Sequence, residues 1–126
     1  MAGQLTIDTL KASSGVLATQ NGMTGIAKAW GSYAFVGAGS VPTVNSAFNI
    51  SSITRNSTGN FTFAFTTTMP NALYSAVTNA NQGSTTSNQS ISFTTAKSTS
   101  SFTVQCVYPA SPTAYDFGVD FTVFSA

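Results

Sequence analysis

Phe61-Thr-Phe-Ala-Phe65 sets three phenylalanines at alternate positions of one short stretch. Because successive side chains of a β-strand point to opposite faces, this stretch predicts a strand with one aromatic face. Longer alternation in Tyr115–Val123 and shorter alternation in Phe102–Val107 predict two further strands of this kind. Large aromatic side chains supply much of the apolar area that a small β domain buries, so we expect the three phenylalanines in its core.

Weaker alternation predicts more strands, at Ile26–Val36, Val44–Ile53, Leu73–Asn79 and Ser90–Thr95. Glycine, proline and asparagine lie between them, and these residues predict a loop at Gly37–Pro42 and a hairpin turn at Asn56–Asn60. About seven short, closely spaced strands are typical of a sandwich or a small barrel. We therefore predict an all-β fold, a single small antiparallel sandwich or barrel-like knob of about seven strands.

The N-terminal segment differs from the rest of the chain. Leu5, Ile7 and Leu10 alternate briefly, and the stretch that follows is small, polar and rich in glycine. Such a segment buries little apolar surface by itself. We therefore expect residues 1–24 to form an extended N-terminal arm that docks through those three apolar side chains, and residues 25–126 to form the β knob domain.

Composition argues against an enzyme. The chain has no histidine and no glutamate, one cysteine, and Asp8, Asp116 and Asp120 as its carboxylates. General acid–base catalysis mostly uses His or Glu, and zinc sites draw on several Cys and His. On one strand Asp116 and Asp120 would lie about 13 Å apart, wider than the roughly 5–9.5 Å of paired glycosidase carboxylates. We therefore expect no catalytic residues, no metal site and no cofactor.

Charge also limits the partners that the chain attracts. Its four basic residues are Lys11, Lys28, Arg55 and Lys97. They are scattered, whereas nucleic-acid binding needs a concentrated positive field, and no apolar run approaches the roughly 20 residues of a membrane span. We therefore expect neither nucleic-acid binding nor membrane insertion. Cys106 stands alone in an alternating stretch, which predicts a small buried side chain.

Neutral polar residues are abundant in the chain, since Ser, Thr and Asn make up 47 of its 126 residues. Such a surface suits hydrogen bonding to neutral sugars. The Asn79–Asn88 loop is a candidate contact surface for this purpose, or simply a solvated loop. Trp30 and Tyr33 are large rings with a polar group, close to the Gly37–Pro42 loop. We consider both for a subunit-interface or ligand contact, with burial in the sheet core as the alternative.

Four stretches resemble small virion proteins and distal fibre knob domains of tailed bacteriophages. They are Thr24-Gly-Ile-Ala-Lys-Ala-Trp30, Ala47-Phe-Asn-Ile-Ser-Ser-Ile-Thr-Arg55, Phe65-Thr-Thr-Thr-Met-Pro-Asn-Ala-Leu-Tyr-Ser-Ala-Val77 and Asp116-Phe-Gly-Val-Asp-Phe-Thr-Val-Phe124. The resemblance spans roughly residues 10–126 and includes no catalytic motif. It implies a virion surface protein with a trimeric β knob, located on the capsid exterior or on a tail appendage.

Three functions follow from this resemblance and from the neutral surface. In fibres of this group the knob follows a shaft and a tail-attachment region. Neither is present here, so we expect first a stand-alone knob that decorates or cements the capsid, with the major capsid protein as partner of the arm. The second is a receptor-binding tip, joined to a tail component of the same virion and recognising a host surface carbohydrate. The third is a free, lectin-like carbohydrate-binding module.

Overall fold

The computed structural model describes residues 26–34, 36–81, 90–109 and 113–125. Within them, the strands in chain order are β1 Ala27–Ala34, β2 Thr43–Phe48, β3 Ile50–Ser57, β4 Asn60–Phe65, β5 Ser75–Asn81, β6 Ile91–Lys97, β7 Ser101–Tyr108, β8 Thr113–Ala114 and β9 Gly118–Phe124. The predicted N-terminal arm, residues 1–24, lies outside the described residues.

Two antiparallel sheets form a sandwich, which confirms the all-β prediction. One sheet has the strand order β2-β1-β9-β5, and the other has the order β3-β4-β7-β6 with the short β8 paired to β7. Rings from both sheets meet between them, since Phe121 of β9 lies 4.8 Å from Phe63 of β4 between ring centroids. The described part of the chain therefore has one core, between two layers.

The Phe61–Phe65 strand is central to that core, as predicted. Its three phenylalanine rings are at most 6% exposed. Phe63 contacts Phe102 of β7 and Tyr33 of β1, each at 5.2 Å between ring centroids. Cys106 is also fully buried, in agreement with its predicted role as a small core side chain.

The Val44–Ile53 stretch is not one strand, and this prediction was wrong. The chain breaks at Asn49, whose φ of 58° is left-handed, so β2 joins one sheet and β3 the other. Asparagine tolerates this conformation better than most residues. The side-chain amide of Asn49 also bonds to the two neighbouring segments, donating to the carbonyl oxygen of Lys28 in β1 at 2.9 Å and to that of Thr67, just after β4, at 3.1 Å. The described residues form nine strands rather than about seven, because of this break and of β8.

Gly31 makes room for two core rings of its own sheet. A Cβ atom at this position would lie 2.5 Å from the Tyr33 ring and 2.8 Å from the Phe121 ring. Both rings therefore pack directly over the backbone of β1, where only glycine leaves enough room.

Candidate functional site

A groove of about 540 Å³, open to solvent, runs across the outer face of the β2-β1-β9-β5 sheet. The strand register aligns its side chains in two rows across β1, β9 and β5. The apolar row is Trp30, Thr122 and Val77, and the polar row is Ser32, Asp120 and Asn79. Paired positions on neighbouring strands share one face of a sheet, so each row presents its side chains to the same side. The groove therefore has an apolar half beside a hydrogen-bonding half.

The apolar row presents large side chains to solvent. Trp30 is 39% exposed and Val77 is 60% exposed, although both lie within regular strands. Thr122 lies between them on the central strand β9. An aromatic ring held at the surface by a rigid sheet is a typical anchor for a ligand or a partner.

Asp120 is the unusual member of the polar row. Its Oδ1 atom is buried and has no hydrogen-bond partner among the described residues. A buried polar atom without a partner costs about 1–3 kcal/mol, and more when it is charged. Oδ1 itself is out of contact with solvent, so a ligand in the groove can bond only to the part of this half-buried carboxylate that lines the groove.

Asp116 lies four positions earlier and has the opposite environment. Its side chain is 2% exposed and accepts hydrogen bonds from the backbone N–H groups of Gly59 and Gly39, at 2.7 and 2.8 Å. The guanidinium of Arg55 adds an ion pair at 3.0 Å from Nη2 and a further bond from Nε at 3.1 Å. Asp116 therefore connects the β1–β2 loop, the β3–β4 hairpin and the start of β9, and it has a structural role.

The pKa values agree with these structural roles. Burial alone would raise the pKa of Asp116, but the hydrogen bonds from Arg55, Gly59 and Gly39 and the charge of Arg55 outweigh it and hold that pKa below its usual value. Burial, together with the charge of Asp116, raises the pKa of the Cys106 thiol to about 12. Cys106 is therefore a protonated core side chain at neutral pH, unsuited to act as a nucleophile.

Trp30 and Tyr33, the two rings considered for contacts, are separated by the fold. Trp30 lies at the groove. Tyr33 is 1% exposed and packs in the core, with ring centroids 5.9 Å from Phe121. The expectation of a surface contact is therefore corrected for Tyr33, because its ring points between the sheets. The predicted docking residues Leu5, Ile7 and Leu10 lie outside the described residues.

The predicted loops Gly37–Pro42 and Asn79–Asn88 also differ. Gly37–Pro42 is a loop, as predicted, and Asp116 fixes its centre through the N–H of Gly39. Asn79–Asn88 begins as the last residues of β5, and residues 82–89 lie outside the described part of the chain.

Sequence reasoning missed the partners of Trp30 in the groove. Asp120 and Thr122 were assigned to a strand without a surface role, and Asn79 was considered only as the first residue of the Asn79–Asn88 loop. The signal was available in β9, where Val119, Phe121 and Val123 fill the core, so the intervening side chains must point outward. What the sequence could not show is which strands are neighbours of β9.

Among the described residues no three Cys, Asp, Glu or His side chains come together as metal ligands would. Nor does that part of the chain contain a helix long and apolar enough to cross a membrane. Comparison of the chain with protein-family models, with curated proteins and with solved structures returned no match.

Proposed function

We propose that this chain is a non-enzymatic virion surface protein of a tailed bacteriophage, a trimeric knob that decorates or cements the capsid through its N-terminal arm. The observation that carries the proposal is the sequence resemblance, together with the positions that the resembling stretches occupy in the sandwich. They fall on β1, on the crossing between the sheets, on the β4–β5 connection and on β9.

The β4–β5 connection shows the structural role of one of these stretches. In the β4–β5 connection, Tyr74 is buried and its hydroxyl donates to the backbone oxygens of Ser98 and Ser101, at 3.1 and 2.8 Å. The backbone N–H of Met69 bonds to the carbonyl of Thr99 at 2.8 Å. These contacts fasten a long connection onto the β6–β7 turn. The resembling residues therefore specify this sandwich, which supports the view that the shared feature is a knob fold.

An exposed sheet edge supports self-association. Among the described residues, strand β2 is an edge of its sheet, and residues 43–47 within it are all exposed. Val44, on this edge, is 54% exposed. An exposed edge with free backbone groups is a ready site for pairing with another chain, and closed cyclic symmetry is the usual result for identical subunits.

The neutral surface fits a particle exterior. With seven charged residues in 126, association with other subunits depends little on ionic strength. Without histidine, no side chain with an unperturbed pKa between pH 5 and 8 is present. A virion outside its host is exposed to wide changes in ionic strength and in pH.

Band quantification on purified particles tests the cement function. A cement protein covers a repeating lattice, so its copy number should approach that of the major capsid protein. Light scattering should show a trimer in solution. Removal of Met1–Thr24 should leave a folded trimer that no longer binds the particle. A stable monomer, or a truncated chain that still binds the capsid, would contradict the proposal.

The receptor-binding tip of a tail fibre is the second candidate, and the groove at Trp30 and Asp120 favours it. A tip that recognises a host surface glycan needs an exposed binding site, whereas a cement protein does not. A tip would appear as a trace band in purified particles. Free protein added to host cells would then block infection, and capsid cement would not.

A further inference from the structure

The groove combines an apolar row with a polar row at fixed spacing. Trp30, Thr122 and Val77 face the same side as Ser32, Asp120 and Asn79, and the rows run side by side across β1, β9 and β5. The backbone ladder of these strands fixes the rows, so the site is formed before any ligand arrives. A ligand that fits must have an apolar face beside a set of hydrogen-bond donors.

The polar row requires a donor-rich ligand. Asp120 lines the groove, and a carboxylate accepts strong, charge-assisted hydrogen bonds from hydroxyl groups. Asn79 supplies both a donor and an acceptor, and Ser32 supplies a hydroxyl. Adjacent hydroxyls on a sugar ring match this set, because each hydroxyl both donates and accepts.

The apolar row requires a flat apolar surface on the same ligand. The Trp30 ring carries negative charge on its faces, which attracts the weakly positive C–H groups of a pyranose. Sugars are unusual among small polar molecules in having a C–H face next to a rim of hydroxyls. We infer that the groove formed by Trp30, Asn79, Asp120 and Thr122 is a binding site for a neutral saccharide, whether the chain is capsid cement or a fibre tip.

The single charge in the groove sets the expected selectivity. Asp120 is the only ionisable side chain among the groove residues. It repels uronic and sialic acids, so neutral saccharides should bind better than acidic ones of the same size.

Fluorescence offers a direct measurement, because Trp30 is the only tryptophan of the chain. The full-length protein is titrated with neutral oligosaccharides of glucose, galactose, mannose and N-acetylglucosamine, and with sialylated and uronic-acid oligosaccharides. A saturable change in Trp30 emission with a neutral saccharide, and a weaker one with acidic saccharides, is the expected result. Failure of every neutral saccharide to bind overturns the inference.

Variants locate the site, with binding followed by calorimetry. Asp120→Asn should weaken saccharide binding about tenfold to a hundredfold, because a charge-assisted bond is lost. Trp30→Ala should weaken it by at least about tenfold, whereas Trp30→Phe, which keeps a ring, should retain most of the affinity. Tyr115→Ala is the matched control, since Tyr115 is 52% exposed and lies outside the groove, and it should bind normally.

Three results would overturn the assignment. The first is binding that both groove variants leave unchanged. The second is stronger binding of choline than of any neutral saccharide, which would identify a cation site. The third is dissociation of the oligomer by Trp30→Ala in light scattering, without loss of saccharide binding, which would identify the face as a subunit contact.

Discussion

Replacing Asp116 with asparagine should destabilise the fold strongly. Each carboxylate oxygen of Asp116 accepts from one backbone N–H group and from Arg55. Oδ1 accepts from Gly59 N–H and Arg55 Nε, and Oδ2 accepts from Gly39 N–H and from both Nε and Nη2 of Arg55. Asparagine has one oxygen and one NH2 group, so in either orientation the NH2 group faces a donor. We expect it to turn towards Gly39, which is exposed, rather than towards the buried Gly59.

The magnitude follows from the bonds that are lost. One backbone N–H loses its acceptor, and the bonds to Arg55 lose their charge assistance, with Arg55 itself 23% exposed in its side chain. Removing one partner of a buried ion pair costs about 3–5 kcal/mol, and partial exposure of Arg55 places this case at the lower end. We expect about 3 kcal/mol in the free energy of unfolding. For a chain of this length that corresponds to a fall of about 10 °C in melting temperature.

Urea and thermal unfolding, followed by circular dichroism at neutral pH and fixed protein concentration, measure this loss. Asp120→Asn is the matched control, because it removes the same charge from a side chain with no hydrogen bond to another described residue. It should change stability by less than about 0.5 kcal/mol, or raise it slightly. Equal losses in the two variants would refute the assignment of Asp116 as the structural carboxylate.

Three further outcomes follow from the same contacts. Because the pKa of Asp116 is lowered in the folded state, the free energy of unfolding should be constant from pH 5.5 to 8 and should fall as the pH drops below about 4. Thermal unfolding measured across this pH range tests this, and a large change above pH 5.5 would contradict it. Gly59→Ala should lower stability by more than about 1 kcal/mol in urea unfolding, because φ is 67° and the new Cβ would lie 2.5 Å from the Cys106 carbonyl oxygen. Gly39→Ala should cost less, because φ is 83° there but the space around it is open. Equal losses in the two variants would argue against the clash at Gly59. Cys106, fully buried with its pKa raised to about 12, should react with a thiol reagent only as the protein unfolds, and rapid labelling of the folded protein would be inconsistent with this packing.

Alternation predicted the core well because its signal is local. Phe61–Phe65 and the inward residues of β9 fill the space between the sheets, as the period of two requires. The crossing at Asn49 was not predicted, because the apolar residues on either side continue the same pattern while the chain changes sheet. A single left-handed residue causes that change, and many asparagines in this sequence lie in ordinary strands or turns.

The contrast between Trp30 and Tyr33 shows what alternation can decide. The two residues are three positions apart, an odd number, so a regular strand sends their side chains to opposite faces. One of them had to lie in the core if the other was exposed. The sequence did not say which, because both are large aromatics, but the register with β9 decides it by pairing Tyr33 with Val119.

The different environments of Asp116 and Asp120 could not be predicted from the sequence. Placed on one strand they would share a face, yet β9 begins at Gly118, and Asp116 turns inward before it. Asp116 is satisfied by donors that are distant in sequence, one of them 77 positions away, while Asp120 is paired on both sides with strands that give its buried oxygen no donor. In the folded protein Asp116 therefore has its hydrogen-bond partners, whereas the Oδ1 atom of Asp120 has none among the described residues. Asp120 shares its groove with Trp30, the only tryptophan of the chain. Because the paired positions of β1, β9 and β5 place Asp120 and Trp30 in one groove, the inference of a saccharide site rests on the sheet itself and does not depend on the loops.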